Sequence, residues 1–155
     1  MKDQFKIYLP NLNITKKVAQ LLAKQVKDGF FISLRGDLGT GKTTFARYFI
    51  NCFSQKKINV VSPTFPLLQI YNLKNFDIWH YDLYRLKKLS EIYLLDYEEA
   101  LNNLVIVEWP EIIEPLLPEK RIEIHFKEDV KRNLFMKVFL VGDLKLIMDI
   151  SQWKF

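Results

Sequence analysis

"LRGDLGTGKTTF", residues Leu34 to Phe45, decides how the other 143 positions of this 155-residue chain are read. The chain has five glycines, and three of them, Gly36, Gly39 and Gly41, stand within six consecutive positions here. Gly36 to Thr43 fits G-x-x-x-x-G-K-[ST], the pattern of a loop that cradles phosphates. Glycine at such positions admits positive φ and lets phosphate oxygens approach bare backbone. Successive N–H groups then turn inward at the positive end of the helix that follows. With glycine near 7% of average composition, a chance match in a chain of this length is on the order of half a per cent. The segment Asp37, Leu38, Gly39, Thr40, Gly41, Lys42, Thr43 and Thr44 is therefore the expected cradle of a nucleoside triphosphate. Lys42 supplies a cation to the β and γ phosphates, and the Thr43 hydroxyl can ligate Mg²⁺.

The flanks fit the motif. Phe30 to Leu34 read as a short buried strand of bulky residues, and "KTTFARYFINCF" resumes as a helix, which is the context this loop requires. Two acids stand at the ends of other expected strands. Glu108 closes "LVIVE", an apolar run that places a carboxylate beside the loop to hold Mg²⁺, directly or through water; the alternative is a solvated strand end. Asp82 lies in "WHYDLYR" and is a candidate to orient an attacking water, with a turn residue or an ion pair to Arg85 as the alternative. His80 and Asp82 share a face by period-two alternation, so both can point toward the γ-phosphate. Thr64 in "SPTF" occupies the place where nucleotide switches put a hydroxyl on the metal or γ-phosphate. Trp109 either packs in the core or lines the site. His125 and Cys52 read as packing residues.

Along the rest of the chain, Phe5 to Leu9 form an edge strand. Asn13 caps a helix from Ile14 to Lys27, and Gly29 stands at its C-terminal end. Val60-Val61 open a short strand. Leu67 to Leu73 and Phe76 to Tyr81 pair through a tight turn at Lys74-Asn75. "LSEIYLLDYEEALNN" is helical with Ser90 as its cap. "LVIV" is a central strand, and "KRIEIHF" and "NLFMKVFLV" are further strands. No repeat or interdomain linker breaks residues 1–155, which read as one domain. Nearly all-apolar strands alternating with helices predict an α/β fold, a three-layer sandwich whose central sheet is largely parallel. The middle hairpin adds antiparallel strands.

Composition narrows the class. No apolar stretch approaches the ~18 residues of a membrane helix, and the N-terminus lacks the apolar core of a secretion signal. Cys52 is the single cysteine, which fits a reducing, cytoplasmic setting. The net charge of +5 is spread over pairs such as Lys56-Lys57 and Lys120-Arg121, with no basic stripe on one element. The absence of N-K-x-D removes the guanine-reading element common in GTPases, and no arginine-rich lid of the small-molecule kinases stands out.

"GDLGTGKTTF", "SPTF", "HYDLYR" and "VEWPE", in this order and at these intervals, resemble the TsaE family, the small bacterial ATPases of tRNA threonylcarbamoyladenosine biosynthesis. The resemblance runs from about Thr15 to beyond Val130. It implies a P-loop NTPase fold and a Mg²⁺-dependent ATPase, slow alone. That ATPase would act with a TsaD-like catalytic subunit and its TsaB-like paralogue to drive N6-threonylcarbamoylation of adenosine 37 in tRNA. Direct contact with tRNA is left open. Position by position it makes Lys42, Asp82 and Glu108 the catalytic set, Thr43 and Glu108 the metal ligands, and Thr64 the switch threonine. Trp109 lies beside the nucleotide, and Thr15 and Arg132 near the nucleoside. Thr40 departs from the usual Ala or Ser, Pro66 from Thr, and "EIYLLDYEEA" lacks the glycine often found there. Two rival readings are a small-molecule kinase, in which Asp82 deprotonates an acceptor hydroxyl, and a nucleotide-dependent scaffold that needs no hydrolysis.

Overall fold

The computed structural model describes residues 3–146 and 149–155. Seven strands form one sheet in the order β1-β7-β6-β2-β5-β4-β3. They are β1 (Asp3–Tyr8), β2 (Phe31–Arg35), β3 (Leu68–Asn72), β4 (Asp77–Asp82), β5 (Leu104–Glu108), β6 (Arg121–Glu128) and β7 (Leu134–Val141). The four middle strands, β6-β2-β5-β4, are parallel. Antiparallel pairs extend both sides: β4 with β3 on one, and β6 with β7 and β7 with β1 on the other. The expected hairpin is present. The β6-β7-β1 extension is larger than the sequence reading anticipated, because long chain separation hides the pairing of β1 with β7.

The two central strands, β2 and β5, bury both faces, which is why they are apolar nearly throughout, whereas β6 alternates apolar with polar residues. On one face lie α1 (Leu12–Ala23) and α2 (Lys42–Asn51), whose Val18, Leu22, Phe45 and Phe49 pack on Ile32, Leu34, Ile106 and Ile124. On the other, Phe31, Tyr81, Val105 and Val107 meet Ile92, Tyr97 and Ile113. Those last three belong to short elements: 3₁₀ turns at Leu89–Leu95 and Pro110–Leu116 and α3 (Tyr97–Ala100). The Tyr81 and Tyr97 hydroxyls donate to the carbonyls of Leu95 (2.8 Å) and Leu116 (3.1 Å), tying this thin layer to the sheet.

Several local expectations are corrected. The first helix begins two residues earlier: Asn11, not Asn13, is the cap, its Oδ1 accepting the Ile14 N–H at 3.2 Å. The helix ends at Ala23 rather than Lys27. Gly29 is not a helix cap; with φ of 80° it turns the chain toward β2 and donates its N–H to Asn103 O. Val60-Val61 form no strand. The hydrogen bonds a strand would share with a neighbour go to α2, where Arg47 Nε donates to Val60 O at 2.9 Å. The Asn51 amide meanwhile exchanges bonds with Ile58 N–H and O. Ser90 caps nothing: Lys88 holds the cap position, and the Glu91 carboxylate accepts the Lys87 and Lys88 N–H groups at 2.9 Å each. These two bonds hold the exposed Glu91 carboxyl below the ordinary range. Asp96, at φ 52°, then splits the expected helix in two.

The loop between β2 and α2 leaves the sheet where β2 is flanked by β5 and β6, at the carboxyl ends of the parallel strands, which is where open α/β sheets bind ligands. Gly36 has φ of 144°, and a Cβ there would stand 2.7 Å from Phe126 O and 2.8 Å from Thr40 Oγ1. Gly39 has φ of 75° with open space beside it. Gly36→Ala is thus expected to cost about 2–3 kcal/mol, from left-handed strain plus displacement of the β6 backbone. Gly39→Ala meets the strain alone, about 1 kcal/mol. Thermal unfolding of the two variants checks that order.

Candidate functional site

Parallel register brings the site together. Asp82 pairs with Glu108 across β4 and β5, and Glu108 with Leu34 across β5 and β2. The two carboxylates therefore stand side by side where the loop begins. Backbone bonds fix the strand ends: Leu83 N–H donates to Glu108 O, Trp109 N–H to Leu34 O and Asp82 N–H to Leu67 O. The carboxylates are almost fully buried, Glu108 at 2% exposure and Asp82 at 3%. An acid buried this deeply needs partners for its charge.

Glu108 has two. The Thr43 hydroxyl, in the first turn of α2, donates to Oε2 at 2.9 Å and lies 3.1 Å from Oε1. His80 Nε2 is 2.8 Å from Oε1. Asp82 is held by hydroxyls and backbone: Ser62 and Thr64 (2.9 Å) donate to Oδ2, and the Tyr84 N–H donates to Oδ1 at 3.0 Å. His80 and Asp82 share a face, as the alternation predicts, but His80 faces Glu108. Arg85 lies over the Phe65 ring, 4.6 Å from its centroid.

Lys42 curls back on the loop. Its Nζ donates to Gly36 O at 2.6 Å and Asp37 O at 2.8 Å, and sits 4.2 Å from the centre of the Trp109 ring. Burial lowers its pKa, and Glu108 and Asp82 work in the opposite direction. A buried ammonium satisfied by carbonyls alone is poised to receive an anion. Trp109 has left-handed backbone, φ 57° and ψ 58°, a conformation that costs a large residue free energy and recurs at functional sites. Tyr84 leans on its outer side, ring centres 4.8 Å apart.

One groove unites most of the expected residues. Leu38, Gly39, Gly41, Lys42, Thr43, Thr44, Thr64, Asp82, Glu108 and Trp109 line it, and so does Ser62, which the sequence reading passed over. The signal for Ser62 was its place two residues before Thr64 around Pro63, since alternate residues of an extended segment point the same way. Asp37 and Thr40 serve from behind. The Thr40 hydroxyl donates to Asp37 O at 2.7 Å, and both residues line a second hollow with Gly36, Phe126, Lys127 and Glu128. Thr15 and Arg132 line neither space. Thr15 is buried in the first turn of α1, and Arg132 borders a hollow with Tyr8, Leu9, Pro10 and Asn133.

With this geometry in place, residues 9–134 match the family described as "Threonylcarbamoyl adenosine biosynthesis protein TsaE". The chain belongs to the TsaE family. It is 51% identical over 122 residues to the "tRNA threonylcarbamoyladenosine biosynthesis protein TsaE" of Rickettsia felis, covering 78% of this chain and 71% of that one. The Bacillus subtilis TsaE is 38% identical over 124 residues, covering 80% and 78%. The fold is similar to the crystal structure of Bacillus subtilis YdiB at a TM-score of 0.73 and 31% identity, across 92% of this chain and 89% of that one. Family membership agrees with the α/β architecture and with the four sequence segments that resemble TsaE. The site carries its own optical reporter. Trp79 and Trp153 are buried away from the groove, whereas Trp109 touches Lys42. Adding Mg·ATP should change tryptophan emission as Lys42 turns to phosphate, and Trp109→Phe should abolish the change, as read by fluorescence titration.

Proposed function

We propose that this TsaE-family chain binds ATP and Mg²⁺ in the groove and hydrolyses the nucleotide slowly on its own. Hydrolysis would drive turnover of a TsaD-like and TsaB-like pair that threonylcarbamoylates N6 of adenosine 37 in tRNA, in the cytoplasm. The observation that carries the reading is the meeting of the Thr43 hydroxyl and the buried Glu108 carboxylate one strand from buried Asp82, all facing a glycine loop with a buried lysine. These oxygens suit Mg²⁺, which takes few protein ligands and completes its shell with phosphates and water. On this reading Thr43, Glu108 and the nucleotide would hold the cation together.

On this reading the loop N–H groups receive the phosphate oxygens. Lys42 exchanges the carbonyls of Gly36 and Asp37 for the β and γ phosphates. Bound Mg²⁺ would neutralise charge gathering on the transferred phosphoryl group. Asp82 orients a water and takes its proton as the water oxygen bonds to the γ-phosphorus and the bond to the bridging oxygen of ADP breaks. Ser62 and Thr64 keep Oδ2 of Asp82 in place, and Oδ1, which takes the Tyr84 N–H on one lone pair, has a second for the water.

Among the described residues no arginine lines the groove. Supply of such a residue by a partner raises NTPase rates by roughly 10³ to 10⁵, which supports slow turnover alone and acceleration by partners. No helix among the described residues is long and apolar enough to cross a membrane.

Asp82→Asn should bind ATP as the parent does while losing at least about 10² in turnover, measured as inorganic phosphate released with and without a purified TsaB–TsaD pair. The parent should be stimulated by that pair. Equal turnover with and without it contradicts the partner role, phosphate moving from ATP to a nucleoside or sugar favours the kinase, and full threonylcarbamoyl transfer by Asp82→Asn favours the scaffold.

A further inference from the structure

We propose that His80 is a positioning residue for the metal-side carboxylate: it holds Glu108 Oε1 so that Oε2 stays turned to the Thr43 hydroxyl and to the cation. His80 sits in the middle of β4 with no exposed surface, opposite Ile106 of β5 and close to Ile78 in the apolar cluster under α1 and α2. Every consideration of packing would place an aliphatic side chain there. Instead the strand buries an imidazole with only one nitrogen used. Nε2 lies 2.8 Å from Glu108 Oε1, and Nδ1 has no hydrogen-bond partner among the described residues. A buried polar atom left unpaired is costly, so the bond that Nε2 makes must matter to the fold or to the site.

The geometry points to the site. An ionised carboxylate accepts only, so the nitrogen facing it is the one that carries the proton. The ring is fully buried, with Tyr71 alongside it at 28° between planes and 6.4 Å between centres. Glu108 reaches the groove on a side chain with three torsions, and Thr43 alone, which touches both oxygens at 2.9 and 3.1 Å, does not choose between them. His80 does choose: it occupies Oε1 and leaves Oε2 free to face the loop. Outer hydrogen bonds of this kind orient ligating carboxylates, and their loss typically weakens metal binding about 10- to 100-fold. The inference rests on the reading of Thr43 and Glu108 as the Mg²⁺ side of the groove.

The test uses the full chain and reads ATP affinity over a range of Mg²⁺ concentrations, by calorimetry. His80→Phe keeps the ring against Tyr71 and removes the donor. It should weaken the apparent Mg²⁺ affinity about 10- to 100-fold and leave ATP affinity in EDTA unchanged. His80→Gln, whose amide nitrogen reaches about as far as Nε2, should recover the parental Mg²⁺ dependence, whereas His80→Asn, which is shorter, should not. If His80→Phe does not fold, the Gln and Asn variants decide by themselves: equal Mg²⁺ dependence in the two overturns the proposal. So does a His80→Phe protein that keeps parental Mg²⁺ dependence, or one that loses ATP affinity equally with and without the metal. If ATP affinity of the unaltered chain itself ignores Mg²⁺, the reading of the site falls and this inference with it. If the unaltered chain responds to Mg²⁺ and the variants match it, only the role of His80 falls.

Discussion

The contact between the Thr43 hydroxyl and the Glu108 carboxylate, 2.9 Å to Oε2, joins the two halves of the site. Thr43 belongs to the helix that the glycine loop launches. Glu108 ends the strand next to the one that feeds the loop. Their meeting requires that β2 and β5 run parallel in a register that places Glu108 beside Leu34, and that the loop close tightly enough to set α2 over that strand end. The same register puts Asp82 beside Glu108. A slip of one residue in β4 or in β5 would turn that strand's acid to the other face of the sheet and separate the pair.

Burial makes this arrangement chemically useful and structurally expensive. Two buried carboxylates and a buried ammonium line one open groove. Each is compensated by groups that a ligand can replace or join: carbonyls for Lys42, hydroxyls for Asp82, a hydroxyl and an imidazole for Glu108. Charges in such low-dielectric surroundings interact far more strongly with an incoming triphosphate than they would in water. The strained Trp109 backbone, at the exit of β5, belongs to the same economy, because it carries the indole back over Lys42.

Much of this was legible in the chain because it is written locally. The loop, the strand before it and the helix after it are consecutive, and glycine spacing alone identifies them. Asp82 and Glu108 were legible as neighbours of the loop because each closes an expected strand, Glu108 after an apolar run and Asp82 at the end of the hairpin. What escaped depends on pairings between distant segments. His80 was expected beside Asp82 by alternation, yet its partner comes from the neighbouring strand, which no single-strand pattern encodes. Ser62 was hidden because the segment around it forms no strand, its hydrogen bonds passing instead to the side chains of Arg47 and Asn51. The β1–β7 pairing joins the two ends of the chain. Capping errors at Asn13 and Ser90 have a simpler origin: each stretch offers several competent polar residues, and the choice among them is made by how the helix meets the sheet.

The most direct measurement is the crystal structure of the chain with a non-hydrolysable ATP analogue and Mn²⁺ standing in for Mg²⁺, the metal located by its anomalous scattering. The account requires the peak at about 2.1 Å from Thr43 Oγ1, with Glu108 bound to it directly or through one water and Asp82 facing the γ-phosphate. A metal seated elsewhere, or a triphosphate lying outside the curl of amides from Asp37 to Thr44, would contradict it.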